Sequence, residues 1–391
     1  MKLDVLIIGG GGHVGLPLAL VFADAGLKVG IYDINQEVLN KINESGIPFK
    51  EENAEAILKK VINKNLFTFK GPEIISQSKN IVVVIGTPVD EHLNPKFNLM
   101  KRFFGDLMRY FHNGQNIILR STVFPGTTER ISDMFKGNGK KVNVSFCPER
   151  VAEGNSIKEI GELPQIISGV GKKAVREVAQ LFGKINKKLI FLSPIEAELA
   201  KLFTNAYRYI NFSIANQFYM IASDHSLDFN RIYNAITKDY PRAKSLPKPG
   251  FTAGPCLFKD TMQIASFNNN NFFLGHSAML INEGLPGYVV NILKARHNIK
   301  NKKIGILGMA FKGDSDDKRE SLAYKLKKIC EIECKKVYCS DEHIKEEGLI
   351  SAAELVRKSD FVIIGAPHRE YLKLKIPRKK LVDIWGFYKG R

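Results

Sequence analysis

The sequence has few cysteines and no long apolar run. Its five cysteines include no CxxC pair, which argues against a disulfide framework and against a zinc site. The apolar stretches, such as residues 81–86 and 361–366, fall far short of the roughly 20 residues of a membrane helix. Only four apolar residues follow Asp4 before the first glycines, too few for a signal peptide. We therefore expect a cytoplasmic protein with no membrane segment and no bound metal.

The chain is also poor in acidic residues relative to basic ones. With 58 Lys and Arg against 40 Asp and Glu, the formal net charge is +18. The basic residues are spread over the whole chain, without the dense arginine block and interleaved aromatic residues that indicate a nucleic-acid-binding surface. Nucleic-acid binding, or a scaffold without catalytic activity, is therefore a secondary alternative. The same positive field attracts an anionic, phosphorylated small substrate.

Short β-branched runs alternate with longer amphipathic stretches in the first half of the chain. This alternation is typical of βαβ units and predicts a parallel, doubly wound sheet. The predicted strands are residues 3–9, 27–33, 80–86, 116–122 and 142–148.

A long helix is predicted after this half, since no proline or glycine occurs between Pro194 and Pro241. The helical pattern runs from Glu196 to about Asp239. Strand signals then return at residues 302–308, 335–341, 360–367 and 380–386. The predicted fold class is α/β, with two doubly wound Rossmann-like domains joined by a long central helix. The expected domains are residues 1–194, 195–296 and 297–391.

The first predicted strand is followed by the run GGGGHVG, in which Gly10, Gly12 and Gly15 satisfy the dinucleotide-binding pattern GxGxxG. In this pattern the first glycine permits a tight turn, the second lets a pyrophosphate approach the backbone, and the third packs the helix on the sheet. Asp33 lies 18 residues after Gly15 at the end of the second strand, where a carboxylate accepts a hydrogen bond from a ribose 2′-hydroxyl. The sequence therefore predicts an NAD site rather than an NADP site.

Two threonines follow later strands of the same predicted sheet. Thr87 lies in GTPVD and Thr122 in RSTVFPGTT, and ligands of doubly wound sheets bind beyond the carboxyl ends of the strands. Both threonines are candidate ligand contacts. Equally, each could cap the helix that follows it.

Several charged and polar residues of the second half are candidates for chemistry. Glu149 and Glu153 lie four residues apart after a strand, where they could divide acid and base roles or simply begin a solvated helix. Lys201 and Asn205 share one face of the long helix, where a lysine either extends its charged end to water or is functional.

Cys256 is the candidate nucleophile. It follows a Gly-Pro turn, with Lys259 near to stabilise a thiolate and Asp260 near to steer water, an arrangement that suits covalent catalysis on a carbonyl. The alternative is a buried, inert cysteine.

Seven motifs in order along almost the whole chain are similar to those of the UDP-glucose/GDP-mannose dehydrogenase family. They are GGGGHVGLPLA, GTPVDE, STVFPGTT, CPERVAEGN, EAELAKLFTNAY, GPCLFKD and GMAFKGDSDDKRES. The resemblance implies an NAD-binding domain, a central helix used for homodimerisation and a C-terminal domain that binds the nucleotide of a nucleotide sugar. It also implies oxidation of the sugar C6 alcohol to a carboxylate with two NAD⁺, which supplies uronic acid donors for surface polysaccharides.

The same resemblance implies catalytic roles. Cys256 matches the nucleophile that forms a thiohemiacetal and then a thioester with the substrate. Lys201 and Asn205 match residues that stabilise the oxyanion, and Asp260 matches a carboxylate that positions water or sets the charge of the lysine. The remaining matches are Thr122 and Glu149 as a water-mediated general base, and Glu153 as the second acid of its motif.

Binding roles are implied in the same way. The resemblance adds Thr87, Thr122 and Arg319 to the NAD contacts. It implies substrate contacts at Glu149, Arg150, Glu153, Lys201, Asn205, Gly254, Phe311 and Lys312.

The identity of the sugar stays open in the sequence. CPERVAEGN, with Arg150 after the glutamate, resembles enzymes that act on UDP-N-acetylmannosamine or UDP-N-acetylglucosamine, whereas Lys259 and Asp260 after the nucleophile resemble the UDP-glucose type. Pro255 replaces the small residue that resembling UDP-glucose enzymes have before the cysteine, which alters the turn. We expect an N-acetylhexosamine substrate, with UDP-glucose as the alternative. A two-electron dehydrogenase of the β-hydroxyacid kind, which would not need Cys256, is a further alternative.

Overall fold

A computed structural model describes residues 1–86, 97–251 and 254–388 of the chain. They form two compact units, residues 1–203 and 204–391, and the boundary falls inside the long helix. No helix of the described ranges is both long and apolar enough to cross a membrane. The division into three domains at residues 194 and 296 stays a prediction.

The first unit is built on an eight-stranded sheet with the order β3-β2-β1-β4-β5-β6-β7-β8. The strands are β1 (Leu3–Ile8), β2 (Val29–Tyr32), β3 (Leu66–Phe69), β4 (Ser78–Val83), β5 (Asn116–Leu119), β6 (Asn143–Phe146), β7 (Gln165–Gly169) and β8 (Leu189–Phe191). All neighbours are parallel except β6 and β7, which pair antiparallel. The five predicted strands are present, and β3, β7 and β8 are additional strands.

Helices cover both faces of this sheet, which is why its central strands are apolar throughout. They are α1 (Gly15–Asp24), α2 (Gln36–Asn43), α3 (Ala54–Val61), α4 (Phe97–Leu107), α5 (Thr127–Gly137), α6 (Ser156–Glu162) and α7 (Lys172–Phe182). Along β1, Val5 and Ile7 join one buried cluster, and Leu6 and Ile8 join the cluster of the opposite face.

The predicted central helix is shorter than expected. Helix α8 (Pro194–Asp224) has 31 residues, and a separate helix α9 (Phe229–Thr237) follows it. Between them Ser226 adopts a left-handed conformation with φ of 57°. The carboxylate of Asp228 then caps α9 by accepting a hydrogen bond from the backbone N–H of Asn230 at 3.0 Å. The absence of proline and glycine did not reveal this break, because serine and aspartate make it.

The second unit contains a four-stranded parallel sheet with the order β10-β9-β11-β12. Its strands are β9 (Lys303–Leu307), β10 (Lys336–Ser340), β11 (Phe361–Ile364) and β12 (Leu381–Val382). Its remaining helices are α10 (Leu257–Phe267), α11 (Phe273–Arg296), α12 (Leu322–Glu333) and α13 (Ala352–Lys358). Both sheets have the doubly wound order in which a ligand site lies beyond the carboxyl ends of the strands.

Candidate active site

The glycines between β1 and α1 serve two purposes. A Cβ on Gly9 or Gly15 would lie 1.9 or 2.6 Å from backbone atoms, so these two glycines are required for packing. A Cβ on Gly10 would lie 2.9 Å from the side chain of Ile31. At Gly12, in contrast, the nearest protein atom would be 3.8 Å away. The missing side chain of Gly12 therefore leaves open space, as the approach of a pyrophosphate requires.

The start of α1 and the residue after β2 also line the predicted dinucleotide site. Helix α1 has no acidic residue in its first turn, and its N-cap residue, Val14, makes no capping side-chain hydrogen bond. Its N-terminus therefore presents N–H groups and a positive dipole to an anion. Asp33 accepts one hydrogen bond from the backbone N–H of Gly11 at 2.9 Å and another from that of Asn35 at 3.0 Å. A carboxylate has about four acceptor positions, so Asp33 can also bind a ribose hydroxyl.

Thr122 lies on the connection between β5 and α5 and does not cap the helix. The N-cap of α5 is Gly126. The buried Glu198 of α8 accepts hydrogen bonds from the backbone N–H of Gly126 at 2.6 Å and from that of Thr128 at 2.8 Å. Burial raises the pKa of Glu198 despite these hydrogen bonds. The alternative role of Thr122 as a helix cap is therefore wrong, and Thr87 lies outside the described residues.

Glu149 is paired with a fully buried arginine. Oε2 of Glu149 accepts hydrogen bonds from Nε of Arg120 at 3.1 Å and from Nη2 at 2.6 Å. Arg120 also donates to the carbonyl oxygen of Cys147 at 2.9 Å and to the side chain of Gln165 at 3.1 Å. The arginine therefore ties the ends of β5 and β6 to the start of β7.

The other oxygen of Glu149 is bound to backbone. Oε1 accepts from the N–H groups of Arg150 at 2.8 Å and Val151 at 3.2 Å. Together with the two bonds from Arg120, these contacts take all of its roughly four acceptor positions. To act as a base, Glu149 would have to release one of them, so this geometry fits a positioning role.

The two residues predicted beside Glu149 are both partly exposed. Arg150 donates to the carbonyl oxygen of Pro164, and burial together with the charge of Arg120 lowers the pKa of Arg150. Glu153 lies further along the same connection, before α6. Their predicted substrate contacts stay predictions.

Cys256 is the exposed N-cap residue of α10. One turn later, the fully buried Asp260 donates its backbone N–H to the carbonyl oxygen of Cys256 at 2.9 Å. Oδ2 of Asp260 accepts a hydrogen bond from the side-chain amide of Asn205 at 2.6 Å, and Nζ of Lys259 lies 3.6 Å from Oδ1. The structure thus brings three of the predicted catalytic residues together, and Lys201 lies one turn before Asn205 on α8, partly buried.

The other thiols differ from Cys256 in burial. Burial raises the pKa of Cys147 to about 12 and that of Cys339 to about 11, and it also raises the pKa of Cys330. Since the thiolate is the nucleophile, these buried cysteines are inert at neutral pH. Cys256 is the cysteine whose exposure suits covalent catalysis.

The predicted substrate residues of the second unit pack close to the nucleophile. A Cβ on Gly254 would lie 2.6 Å from the ring of Phe311, so this glycine lets the ring rest on the chain two residues before Cys256. Lys312 lies over the same ring, with Nζ 5.7 Å from the ring centroid. Arg319, predicted to contact the cofactor, has a half-exposed guanidinium that donates to Asp317 at 2.6 Å.

Two buried charged residues that contact the candidate site segments were not identified from the sequence. Arg120 is the charged residue at the end of an otherwise apolar strand, a position that could have marked it as buried and paired. Glu198 lies within the motif EAELAKLFTN, where its neighbours Lys201 and Asn205 were singled out instead. Both act through contacts with residues distant in the sequence, which spacing alone does not reveal.

Comparison with known proteins identifies one family over most of the chain. Sequence profiles of the UDP-glucose/GDP-mannose dehydrogenase family match three parts of the chain. They are the NAD binding domain at residues 3–186, the central domain at 195–283 and the UDP binding domain at 305–390.

Individual relatives are similar over nearly the full length. A UDP-N-acetyl-D-mannosamine dehydrogenase of Pyrococcus horikoshii is 31% identical over 386 residues, covering 95% of this chain and 90% of that protein. A UDP-N-acetyl-D-mannosamine dehydrogenase of Methanocaldococcus jannaschii is 31% identical over 372 residues, covering 92% of this chain and 84% of that protein. The solved structure of the UDP-D-ManNAc dehydrogenase from Pyrococcus horikoshii superposes with a TM-score of 0.90 at 26% identity, covering 99% of this chain and 100% of the other.

Proposed function

Since the chain belongs to the UDP-glucose/GDP-mannose dehydrogenase family and is an NAD-dependent nucleotide-sugar dehydrogenase, we propose that it oxidises C6 of UDP-N-acetylmannosamine to the carboxylate. The observation that carries the chemistry is the exposed Cys256 at the start of α10, one turn from a buried carboxylate bonded to Asn205. The product is a UDP-N-acetylhexosaminuronic acid, a donor for surface polysaccharides.

The open space at Gly12, the uncapped start of α1 and the carboxylate of Asp33 fit NAD. When bound, NAD⁺ accepts hydride, one for each molecule consumed. Two molecules of NAD⁺ are needed for each sugar, because the oxidation of an alcohol to a carboxylate removes four electrons and each NAD⁺ accepts two. The residues of the chain therefore have to retain the substrate between the two oxidations.

Cys256 provides that retention. In the first oxidation C6 loses a hydride and its hydroxyl loses a proton, which gives an aldehyde. The thiolate of Cys256 adds to the aldehyde carbon, and the oxygen takes up a proton to give a thiohemiacetal; this loses a second hydride from carbon and the proton of its hydroxyl to become a thioester. Water then adds to the thioester carbonyl, the C–S bond breaks, and the carboxylate and the thiolate are released.

The neighbours of Cys256 support these steps. We assign Lys201 and Asn205 to the oxygen that becomes negative when the thiolate or water adds to the carbonyl carbon. Asp260 orients the amide of Asn205 through their 2.6 Å hydrogen bond. Thr122 and Glu149 position the water that accepts the alcohol proton, with Glu149 fixed by Arg120 rather than free to move.

Arg150 and the relatives support N-acetylmannosamine as the sugar. Arg150 follows Glu149 in a motif that resembles the N-acetylhexosamine type, and the two relatives described above, each 31% identical to this chain, are UDP-N-acetyl-D-mannosamine dehydrogenases. Lys259 and Asp260 after the nucleophile favour UDP-glucose instead, which makes UDP-glucose the second candidate.

A substrate panel tests the assignment. NADH formation is followed at saturating NAD⁺ with UDP-N-acetylmannosamine, UDP-N-acetylglucosamine, UDP-glucose, UDP-galactose and GDP-mannose. We expect the highest kcat/KM for UDP-N-acetylmannosamine. A higher value for UDP-glucose would refute the assigned sugar while leaving the family chemistry intact, and no turnover with any of the five would refute the proposed function.

We also propose a homodimer formed through α8. The exposed apolar residues of this helix lie three, four or seven residues apart and so share one face. They are Phe203, Tyr207, Ile214, Phe218 and Ile221. A second copy of the chain covers such a face with the same residues, as a two-fold interface requires.

Replacing Phe218 with glutamate is expected to dissociate this dimer, because it places a charge in the centre of the apolar face. Light scattering should then fall from twice the 43.9 kDa chain mass to the chain mass. Ile332→Glu, which changes an exposed apolar residue of α12, is the matched control and should leave the mass unchanged. A wild-type chain that is monomeric at micromolar concentration contradicts the proposal.

A further inference from the structure

The second unit repeats the strand-loop geometry of the dinucleotide site. In the first unit the backbone N–H of Gly9, with φ of 75°, donates to the carbonyl oxygen of Tyr32 at 2.8 Å. In the second unit the N–H of Gly308, with φ of 90°, donates to Ser340 at 2.8 Å. Asp33 and Asp341 are the residues that follow β2 and β10, so Asp341 occupies the position of the ribose-binding acid.

Asp341 cannot serve as a ribose acceptor in this arrangement. Its side chain is fully buried and accepts five hydrogen bonds. Oδ1 accepts from the backbone N–H groups of His343 and Ile344, and Oδ2 accepts from those of Met309 and Ala310 and from the ring of His368. Burial acts to raise the pKa of Asp341, but the contact with His368 and the backbone donors hold it at about 2.

His368 is fully buried as well, and both of its ring nitrogens are used. Nδ1 accepts a hydrogen bond from the backbone N–H of Asp314 at 2.9 Å, which makes it the nitrogen without a proton. Nε2 therefore carries the proton and lies 3.0 Å from Oδ2 of Asp341. Asp341 and His368 therefore form one hydrogen-bonded pair. Asp341 binds the backbone N–H groups of residues 309 and 310, and His368 binds that of residue 314.

These contacts hold both ends of the segment 309–314. Phe311 and Lys312 lie between the two ends, and the family resemblance implies that both contact the nucleotide sugar. The ring of Phe311 also rests on Gly254, where even a Cβ would lie only 2.6 Å from it. A displacement of residues 309–314 would therefore move Gly254 and, two residues later in the chain, the nucleophile Cys256.

We propose that Asp341 and His368 are positioning residues that hold the segment 309–314 in its substrate-binding conformation and, through Phe311, keep Cys256 in place. This inference rests on the proposed function, because it takes Phe311 and Lys312 as substrate contacts. In the first unit the corresponding acid is left to bind a cofactor, and in the second it stabilises the loop that binds the substrate.

A cation is an alternative reason for the arrangement. Ligand atoms of Asp314, His343 and His368 lie within 4.8 Å of one another. Both nitrogens of His368 already take part in hydrogen bonds, and Asp314 accepts from the backbone N–H of Arg369 at 2.9 Å. Binding a cation would break the contacts that hold residue 314, so the hydrogen-bonded pair is the better account.

Two substitutions test the hydrogen bonds of the two ring nitrogens of His368 separately. His368→Gln keeps a donor near Asp341 and loses the acceptor for the N–H of Asp314, whereas His368→Asn keeps an acceptor at the Nδ1 position and loses the donor. Tyr371→Phe is the matched control, because the Tyr371 ring packs against the His368 ring at 5.3 Å while its hydroxyl donates to the carbonyl oxygen of Ser340 and not to a ring nitrogen of His368. All three variants are compared below their unfolding temperatures.

We expect His368→Gln to raise KM for the UDP-sugar roughly tenfold while kcat changes less than about threefold, since one buried hydrogen bond to the loop is lost. His368→Asn should restore part of the affinity, and Tyr371→Phe should stay within about twofold of wild type. Equal KM values for His368→Gln and Tyr371→Phe would overturn the proposal.

A second readout does not depend on the substrate. The rate at which iodoacetamide alkylates Cys256, followed by mass spectrometry of its peptide, reports the position of the nucleophile in the enzyme without ligands. We expect at least a threefold change in His368→Gln and none in Tyr371→Phe. An unchanged rate in His368→Gln would refute the coupling to Cys256, whereas lack of turnover by wild-type enzyme would refute the proposed function instead.

Discussion

Replacing Cys256 with alanine is expected to lower net turnover of the UDP-sugar by on the order of 10³-fold or more, because the covalent intermediates can no longer form. Cys256→Ser is expected to have a similar effect, since an unactivated hydroxyl is a poor nucleophile towards the aldehyde. NADH formation under steady-state conditions is the measurement. NAD binding should be unchanged, because the glycine loop and Asp33 lie in the first unit.

Cys334→Ser is the control for this experiment. Cys334 is partly buried at the end of α12, and burial raises the pKa of its thiol. We expect wild-type turnover within about twofold. If Cys256→Ala retained turnover comparable to that control, the thioester mechanism would be wrong and a two-electron dehydrogenase would be the better description.

The second large effect concerns the pair of Arg120 and Glu149. Glu149→Gln leaves the fully buried guanidinium of Arg120 without a counter-charge, which is expected to lower the free energy of unfolding by about 3–5 kcal/mol. Chemical unfolding followed by circular dichroism measures this loss. Glu55→Gln is the control: Glu55 forms an exposed ion pair with Lys59, and its loss should leave the free energy of unfolding close to that of the wild type.

A double variant distinguishes positioning from base catalysis at this pair. Arg120→Met combined with Glu149→Gln removes both charges, so its loss of stability should be smaller than the sum of the two single losses. If Glu149→Gln unfolded like wild type but lost turnover, Glu149 would act as a base and its pairing with Arg120 would be incidental.

The sequence was sufficient for those features that depend on neighbours along the chain. Gly12 and Asp33 were predicted from the spacing of one βαβ unit, and the structure places open space at the former and a partly engaged carboxylate at the latter. The pairing of Asn205 with Asp260 was not predicted as a contact, although both residues were singled out. The family resemblance identified the residues, and the fold supplied their geometry.

Other features depend on contacts that no local pattern contains. Arg120 meets Glu149 across 29 residues and Gln165 across 45, so its burial could not be deduced from the strand in which it lies. The antiparallel strand β7 interrupts a rhythm that predicts only parallel neighbours. The role proposed for Asp341 emerges only when the loop geometry of the second unit is compared with that of the first, because each acid directly follows a strand of its own sheet.

The ratio of NADH formed to sugar consumed tests the central claim, that one site oxidises C6 twice through Cys256. The reaction is run to completion with limiting UDP-N-acetylmannosamine, or with the panel sugar that is turned over if another is preferred, and with excess NAD⁺. NADH is read at 340 nm and the uronate product is quantified. We expect two NADH for each sugar and no released aldehyde. One NADH for each sugar, with an aldehyde as product, would contradict the covalent mechanism.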